Sequence, residues 1–201
     1  REAFLDGYAI GCQYGGKDNS PQAWDLPVLN PKRLYKNDGS LDVAGEFLKK
    51  KLMSALEYCE TVRVDHAMGL VDPWIYQKNS VYETNGIVHC INGNYISNMH
   101  QIDPEGNYRK ILEKIILPTL EEKGIDTSNV VWEDLGSQSG VFQEIYKHKY
   151  NLPGISQLEW CKAENARYEN TSLITSHDSP PTMHLDLNSF DKDYLSGFLI
   201  P

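Results

Sequence analysis

The chain has 201 residues, and its 19 basic and 28 acidic side chains give a formal net charge of −9 with neutral histidines. Hydrophobic residues make up 40% and charged residues 23%, an ordinary globular composition that excludes wholesale disorder. An acidic balance without a basic stripe argues against a nucleic-acid partner, and no apolar run approaches the roughly 20 residues of a membrane span.

The one dense basic run, Lys49-Lys50-Lys51, falls in a helix-like segment and reads as a solvated face. The start, Arg1-Glu2-Ala3-Phe4-Leu5-Asp6, has neither a secretory apolar region nor an initiator methionine, which fits a processed terminus or a piece of a longer chain. Cys12, Cys59, Cys90 and Cys161 are scattered and form no CxxC pair. That spacing suggests reduced thiols in a cytoplasmic protein, not a disulfide scaffold or a zinc knuckle.

Residues 8–35 read as loop-rich, because Gly11, Gly15, Gly16, Pro21, Pro27 and Pro31 interrupt any regular pattern. Gly16-Lys17-Asp18 lacks the glycine spacing and the hydroxyl of a phosphate loop. From Asp42, a reasonable N-cap, to Cys59 the pattern is helical, with Leu48, Leu52, Leu56 and Cys59 on one stripe. Thr61-Val62-Arg63-Val64-Asp65-His66 is a β-branched strand whose period of two puts Arg63 and Asp65 on one face.

Residues 72–107 read as a long irregular insertion rich in Asn, Gly and Tyr, of a length that is usually functional or carries small elements of its own. Its Tyr76, Tyr82 and Tyr95 form either a lid on a binding cleft or a surface excursion. A second helix follows, with Tyr108, Ile111, Leu112, Ile115 and Ile116 inward, a kink expected at Pro118 and a stop at Gly124. Val130 to Leu135 is a strand, Ser139 to Lys149 a short helix, and Gly154 to Trp160 and Thr171 to Ser176 two further strands. An amphipathic piece spans about Ser189 to Leu199.

This alternation of helix and strand predicts an α/β fold with parallel strands, either an open sheet or a barrel. No G-x-G-x-x-G follows a strand, so a dinucleotide-binding sheet is not indicated. Three of the four strands end in ionisable residues, and barrel enzymes place their reacting groups at the C-terminal ends of strands.

Three carboxylates stand out. Asp65 shares a strand face with Arg63, a cation able to hold it ionised; a catalytic acid and a structural ion pair both fit. Glu133 follows the apolar Val130-Val131-Trp132, a flank that favours a proton donor, although Glu133 or Asp134 could equally cap the helix after Gly136. Asp178 follows His177 at the end of the last strand, where the pair could be metal ligands, a triad fragment or a sugar clamp. The spacing of His177 and His184 matches no common zinc motif, and G-x-S-x-G is absent. Gaps of 68 and 45 residues separate the three acids, each long enough for a βα crossover, so all three can meet at one barrel mouth. A carboxylate pair of this kind suffices for cleaving a glycosidic bond with retention.

Val62-Arg63-Val64-Asp65-His66, Glu133-Asp134-Leu135-Gly136 and Ser176-His177-Asp178 resemble, in order, segments of the 4-alpha-glucanotransferases, the amylomaltase or disproportionating enzymes related to α-amylases. Gln22-Ala23-Trp24-Asp25-Leu26-Pro27 resembles that family's Gln-x-Trp-Gly-x-Pro segment, with Asp25 in the glycine place. Two further departures are Ser179-Pro180-Pro181 after Asp178 and a longer stretch between Asp65 and Glu133. The resemblance implies Asp65 as nucleophile, Glu133 as general acid and base, and Asp178 as the group that grips the distorted sugar. It further implies sugar contacts from Arg63, His66 and His177, and stacking on Trp24. The implied partners are maltooligosaccharides and α-glucans, with no organic cofactor and no metal. An α-amylase-like hydrolase shares the same chemistry. The implied fold is part of a (β/α)8 TIM-type barrel over residues 1–201, irregular after the first catalytic strand. A minimal barrel takes about 200–250 residues, so the remainder of the barrel is expected elsewhere, and an inactive truncated glucan-binding fragment is the non-catalytic alternative to the transferase.

Overall fold

The computed structural model describes residues 2–13, 20–59, 61–134, 138–157 and 171–173. Its largest element is a six-stranded antiparallel sheet built from β1 (Phe4–Cys12), β2 (Gln22–Leu29), β4 (Trp74–Gln77), β5 (Val81–Thr84), β6 (Ile87–Cys90) and β7 (Gly93–Tyr95). The strand order is β5-β6-β2-β1-β4-β7, with β1 at the centre between β2 and β4. Two parallel pairs complete the strands: β3 (Val62–Val64) with β8 (Val130–Trp132), and β9 (Ile155–Gln157) with β10 (Thr171–Leu173).

This corrects two expectations. The stretch 8–35 contains β1 and β2 where a loop was expected. Of its breakers, Gly11 borders a register shift in the β1–β2 ladder between Ile10 and Gly11, and Pro27, opposite Ala9, borders another between Phe4 and Ala9. The 72–107 segment is likewise not irregular throughout, for it carries small elements of its own, β4 to β7. Asn85 and Gly86, both at positive φ (54° and 77°), form the two-residue turn that joins β5 to β6. The overall pattern is therefore mixed, with parallel pairs beside a larger antiparallel sheet.

The helices follow the sequence periodicity. In α1 (Val43–Leu56) the Asp42 side chain accepts from the Val43 N–H at 2.8 Å, while Ala44, Leu48 and Leu56 are buried. Cys59 lies exposed beyond the helix end. Of the lysine run, Lys49 pairs with Glu122 at 2.7 Å, and Lys50 and Lys51 are exposed. Tyr108, Ile111, Leu112, Ile115 and Ile116 are all buried, as expected. Hydrogen bonding widens to π-type over Leu112–Ile116 and then tightens into α2 (Leu117–Glu122), which carries Pro118 in its first turn. Proline has no N–H to donate back along the helix, which accounts for the local widening. Gly124 closes the segment at φ 67°.

The third helix begins as α3 (Gly140–Phe142) and continues in π-type turns over Gln143–Lys149. Ser139, not Glu133 or Asp134, caps it, its Oγ accepting from the Phe142 N–H at 3.1 Å. The expected 189–199 helix lies outside the described residues. No helix among the described residues is long and apolar enough to cross a membrane.

One core joins these parts. Ile10, Val28 and Leu29 of the sheet pack with α1, with the 108–120 helices, and with Val130, Trp132, Phe142 and Tyr146. Phe142 and Tyr146 stack with ring centroids 4.7 Å apart, and Trp132 meets Tyr146 edge-on at 6.1 Å. A second cluster of Ala9, Trp74, Tyr76 and Cys90 forms a smaller core beside it. There burial pushes the Cys90 thiol up to about 11, so it packs as a small apolar group.

Buried Asp134 ties β8 to β9: its Oδ1 accepts from the Ile155 N–H at 2.8 Å, and Lys147 lies 3.7 Å from Oδ2. Gly154 makes room for this carboxyl, since a Cβ there would lie 2.5 Å from Oδ1. Gly154→Ala should therefore lower unfolding free energy by about 2 kcal/mol or more, read from the urea midpoint at unchanged slope. An unaltered midpoint would show that the Asp134 strut does not constrain this corner.

Candidate active site

The paired strands β3 and β8 run parallel with Val62 opposite Val130, Arg63 opposite Val131 and Val64 opposite Trp132. One residue further on stand Asp65 and Glu133, so two carboxylates that are 68 residues apart in sequence leave the C-terminal ends of neighbouring strands at the same level. The ladder continues through Glu133 itself. Its N–H donates to the Val64 carbonyl at 2.9 Å, and its carbonyl accepts from the Ala67 N–H at 3.0 Å. Its side-chain Oε2 accepts from the His66 N–H at 2.8 Å.

Asp65 pairs with Arg63 at 2.6 Å, as their shared strand face predicts, and its side chain is 75% exposed. An exposed pair of this kind contributes little to stability. Glu133 is half-buried. Trp132, expected to desolvate it, packs its ring into the core against Tyr146.

His66 departs from the strand. At φ 46° and ψ 59° it is in the left-handed region, which starts the short turn Ala67–Leu70. Its Nε2 is buried without a hydrogen-bond partner among the described residues. Burial holds the imidazole below the ordinary histidine value, with the negative charge of Asp65 pulling partly the other way. The Trp24 ring from β2 stands edge-on to this imidazole, with centroids 4.8 Å apart and planes at 83°.

Trp24 is 37% exposed, so much of its ring stays open to solvent. The next residue, Asp25, has φ 53°, the left-handed backbone that a glycine would adopt without strain. Two contacts compensate: the Asp25 N–H donates to the Tyr76 hydroxyl at 3.2 Å, and its carboxylate meets Lys78 at 2.7 Å. The turn thus keeps a glycine-like shape with an aspartate in the glycine place.

The structure therefore brings together Trp24, Arg63, Asp65, His66 and Glu133. His177 and Asp178 lie outside the described residues. Of the three tyrosines considered for a lid, Tyr76 is buried in the sheet and Tyr95 packs against the core. Tyr82 is 46% exposed on the edge hairpin and stacks on His89 at 5.1 Å. Sequence reasoning missed the left-handed His66 and the Asp134 strut, because neither a backbone flip nor a buried contact leaves a mark in residue spacing. Among the described residues no three His, Cys, Asp or Glu side chains cluster as metal ligands would.

Comparison with known proteins extends beyond this local geometry. An amylomaltase from Streptococcus agalactiae, solved in complex with acarbose, superposes with a TM-score of 0.65 at 16% identity; the match covers 98% of this chain and 38% of that one. An amylomaltase from Corynebacterium glutamicum superposes at 0.62 and 19% identity, covering 90% of this chain and 23% of that one. The chain thus spans well under half the length of these solved relatives. No curated protein matches the sequence. The family model described as 4-alpha-glucanotransferase matches residues 5–199, nearly the whole chain, and on that match the chain belongs to the 4-alpha-glucanotransferase family.

Proposed function

We propose that this chain carries the acid–base and nucleophilic centre of a retaining 4-alpha-glucanotransferase that moves α-1,4-glucan segments between maltooligosaccharides. The observation that carries this reading is the placement of Asp65 and Glu133 at the ends of two hydrogen-bonded parallel strands in matching register. That is where a (β/α)8 barrel presents its reacting groups. The two parallel pairs serve in this reading as successive barrel strands, and the segment 72–107 as an insertion between the first two carboxylates. The solved relatives are much longer than this chain, which leaves room for further strands beyond those described.

In the first half-reaction, Asp65 attacks the anomeric carbon while Glu133 gives its proton to the departing glycosidic oxygen. A covalent glucosyl ester on Asp65 results, and the leaving glucan departs with a new 4-hydroxyl. In the second half, Glu133 as carboxylate takes the proton of an acceptor 4-hydroxyl, whose oxygen displaces Asp65 and restores both groups. Asp178 and His177 hold hydroxyls of the distorted ring, Arg63 aims Asp65, and His66 contacts the sugar in the same subsite as His177. The open part of the Trp24 ring offers an apolar platform to the next glucose. These groups suffice without an organic cofactor or a metal. The scattered cysteines favour the cytoplasm, where α-glucans are the expected partners.

Maltotriose decides the reaction type: with the complete enzyme, transfer gives glucose together with longer oligosaccharides. Glucose and maltose alone would instead make the protein an α-amylase-like hydrolase. Glu133→Gln should lower kcat by about 10²- to 10⁴-fold, the usual share of a general acid, and near-normal turnover would remove Glu133 from that role.

His66 adds a pH dependence. Because burial lowers its value in the folded chain, the unfolded chain takes up the proton first on acidification. The stability carried by the neutral ring is therefore complete above about pH 6.5 and is lost as pH falls towards the lowered folded value. The urea midpoint should fall more steeply from pH 7 to 5 in the wild type than in His66→Asn. Parallel curves would show that the ring is not held neutral.

A further inference from the structure

We propose that Tyr82, on the edge hairpin, is a second sugar platform that extends the glucan cleft beyond Trp24 and favours longer chains. This rests on the glucanotransferase reading and adds to it a remote subsite whose ligand is an α-1,4-glucan.

Sheet register puts four side chains in one row. Residues directly opposite one another in an antiparallel ladder point to the same face. Tyr82 of β5 stands opposite His89 of β6, and His89 stands opposite Gln22 of β2. The Gln22 side chain accepts from the Trp24 indole N–H at 3.3 Å, which brings Trp24 into the row despite the irregular turn at Asp25. At its inner end the row meets the candidate site, where the Trp24 ring stands edge-on to the His66 imidazole. Two strand spacings of about 4.8 Å and two residues of about 3.3 Å place the Tyr82 Cα roughly 12 Å from that of Trp24. A longer glucan engaged at the acids and over Trp24 crosses that distance, whereas a trisaccharide held there ends short of Tyr82.

Tyr82 is mounted as a platform. One face of its ring lies on the His89 imidazole, with centroids 5.1 Å apart and planes at 20°. His89 is itself buried, its Nδ1 2.6 Å from the Ser20 hydroxyl. Tyr82 nevertheless stays 46% exposed, and that exposure falls on the ring face turned away from His89. Its strand pairs with β6 alone across the Asn85-Gly86 turn, so the ring is presented at the sheet edge. A ring already held by stacking loses little freedom when a ligand docks. Sugars offer apolar C–H faces rimmed by hydroxyls, and two open aromatic rings with an amide between them answer both features. Tyr82 belongs to neither core cluster, so its ring can be removed without opening the fold.

Chain length tests the subsite in the complete enzyme. Tyr82→Ala should raise KM for maltoheptaose about tenfold at unchanged kcat, because a remote subsite binds ground state and transition state alike. KM for maltotriose should stay within about twofold of the wild type, showing that the reacting centre is intact. Tyr82→Phe keeps the ring and should restore most of the maltoheptaose affinity. Calorimetric titration of maltoheptaose into Glu133→Gln should show a loss of similar size when Tyr82→Ala is added, a readout that needs no turnover.

Equal KM shifts for the two sugars, or none for either, would overturn the subsite and leave the transferase reading in place. Unshifted KM values with weaker self-association of Tyr82→Ala would overturn it in favour of a contact with a second copy of the chain. A wild-type enzyme that turns over neither sugar would remove the transferase reading and the subsite with it.

Discussion

The candidate site depends on one residue joining two strands three times. Glu133 gives its N–H to Val64, receives the Ala67 N–H at its carbonyl, and receives the His66 N–H at its carboxyl. The first two bonds are ladder bonds that any residue could make. The third requires an acidic or amide side chain at the end of β8 that reaches back to the amide after Asp65. Because Asp65 lies between Val64 and His66, the same bonds that fix Glu133 also fix the backbone on both sides of Asp65. The two carboxylates are positioned by a shared ladder.

The rest of the fold holds this joint. Trp132, the last ladder residue of β8, is anchored in the core by Tyr146, and Asp134 ties the strand end to β9. The antiparallel sheet supplies Trp24, and through Tyr76 and Lys78 it secures the turn from which Trp24 projects. Buried Asp72 secures the sheet's far side, accepting the Ser97 N–H at 2.9 Å and the Ser97 hydroxyl at 3.0 Å. Burial raises the pKa of this carboxyl, and the donors around it and the positive charge of Arg109 pull the other way. Such carboxylate struts let short strands of three residues keep a register that their few ladder bonds would hold weakly.

What could be read from the sequence followed periodicity. The apolar stripes of α1 and of residues 108–116, the Asp42 cap and the strands ending at Val64 and Trp132 all depend on local repeats that survive folding. The antiparallel sheet could not be read this way. In β1 the two register shifts break the alternation that marks a strand, and β4 is buried on consecutive residues, so Trp74, Ile75 and Tyr76 show no period of two. Asp65 and Glu133 stood out because strand ends in apolar stretches rarely carry paired charges. The left-handed His66 did not stand out, since a backbone turn at a non-glycine residue leaves no mark in residue spacing.

The two carboxylates are held in opposite ways, and the proposed chemistry explains the contrast. Asp65 is exposed and aimed by a side-chain ion pair, whereas Glu133 is half-buried and held by main-chain groups. A nucleophile has to advance on the anomeric carbon and later release it, so an exposed pair that costs little to loosen is the suitable restraint. A general acid has to hand its proton to one oxygen and afterwards take a proton back from nearly the same place. That return step rewards a carboxyl that does not rotate, and an amide fixed in a backbone turn resists rotation better than a flexible side chain does. On the proposed roles, the main-chain bond thus falls on the group that must stay still, and the exposed ion pair on the group that must move.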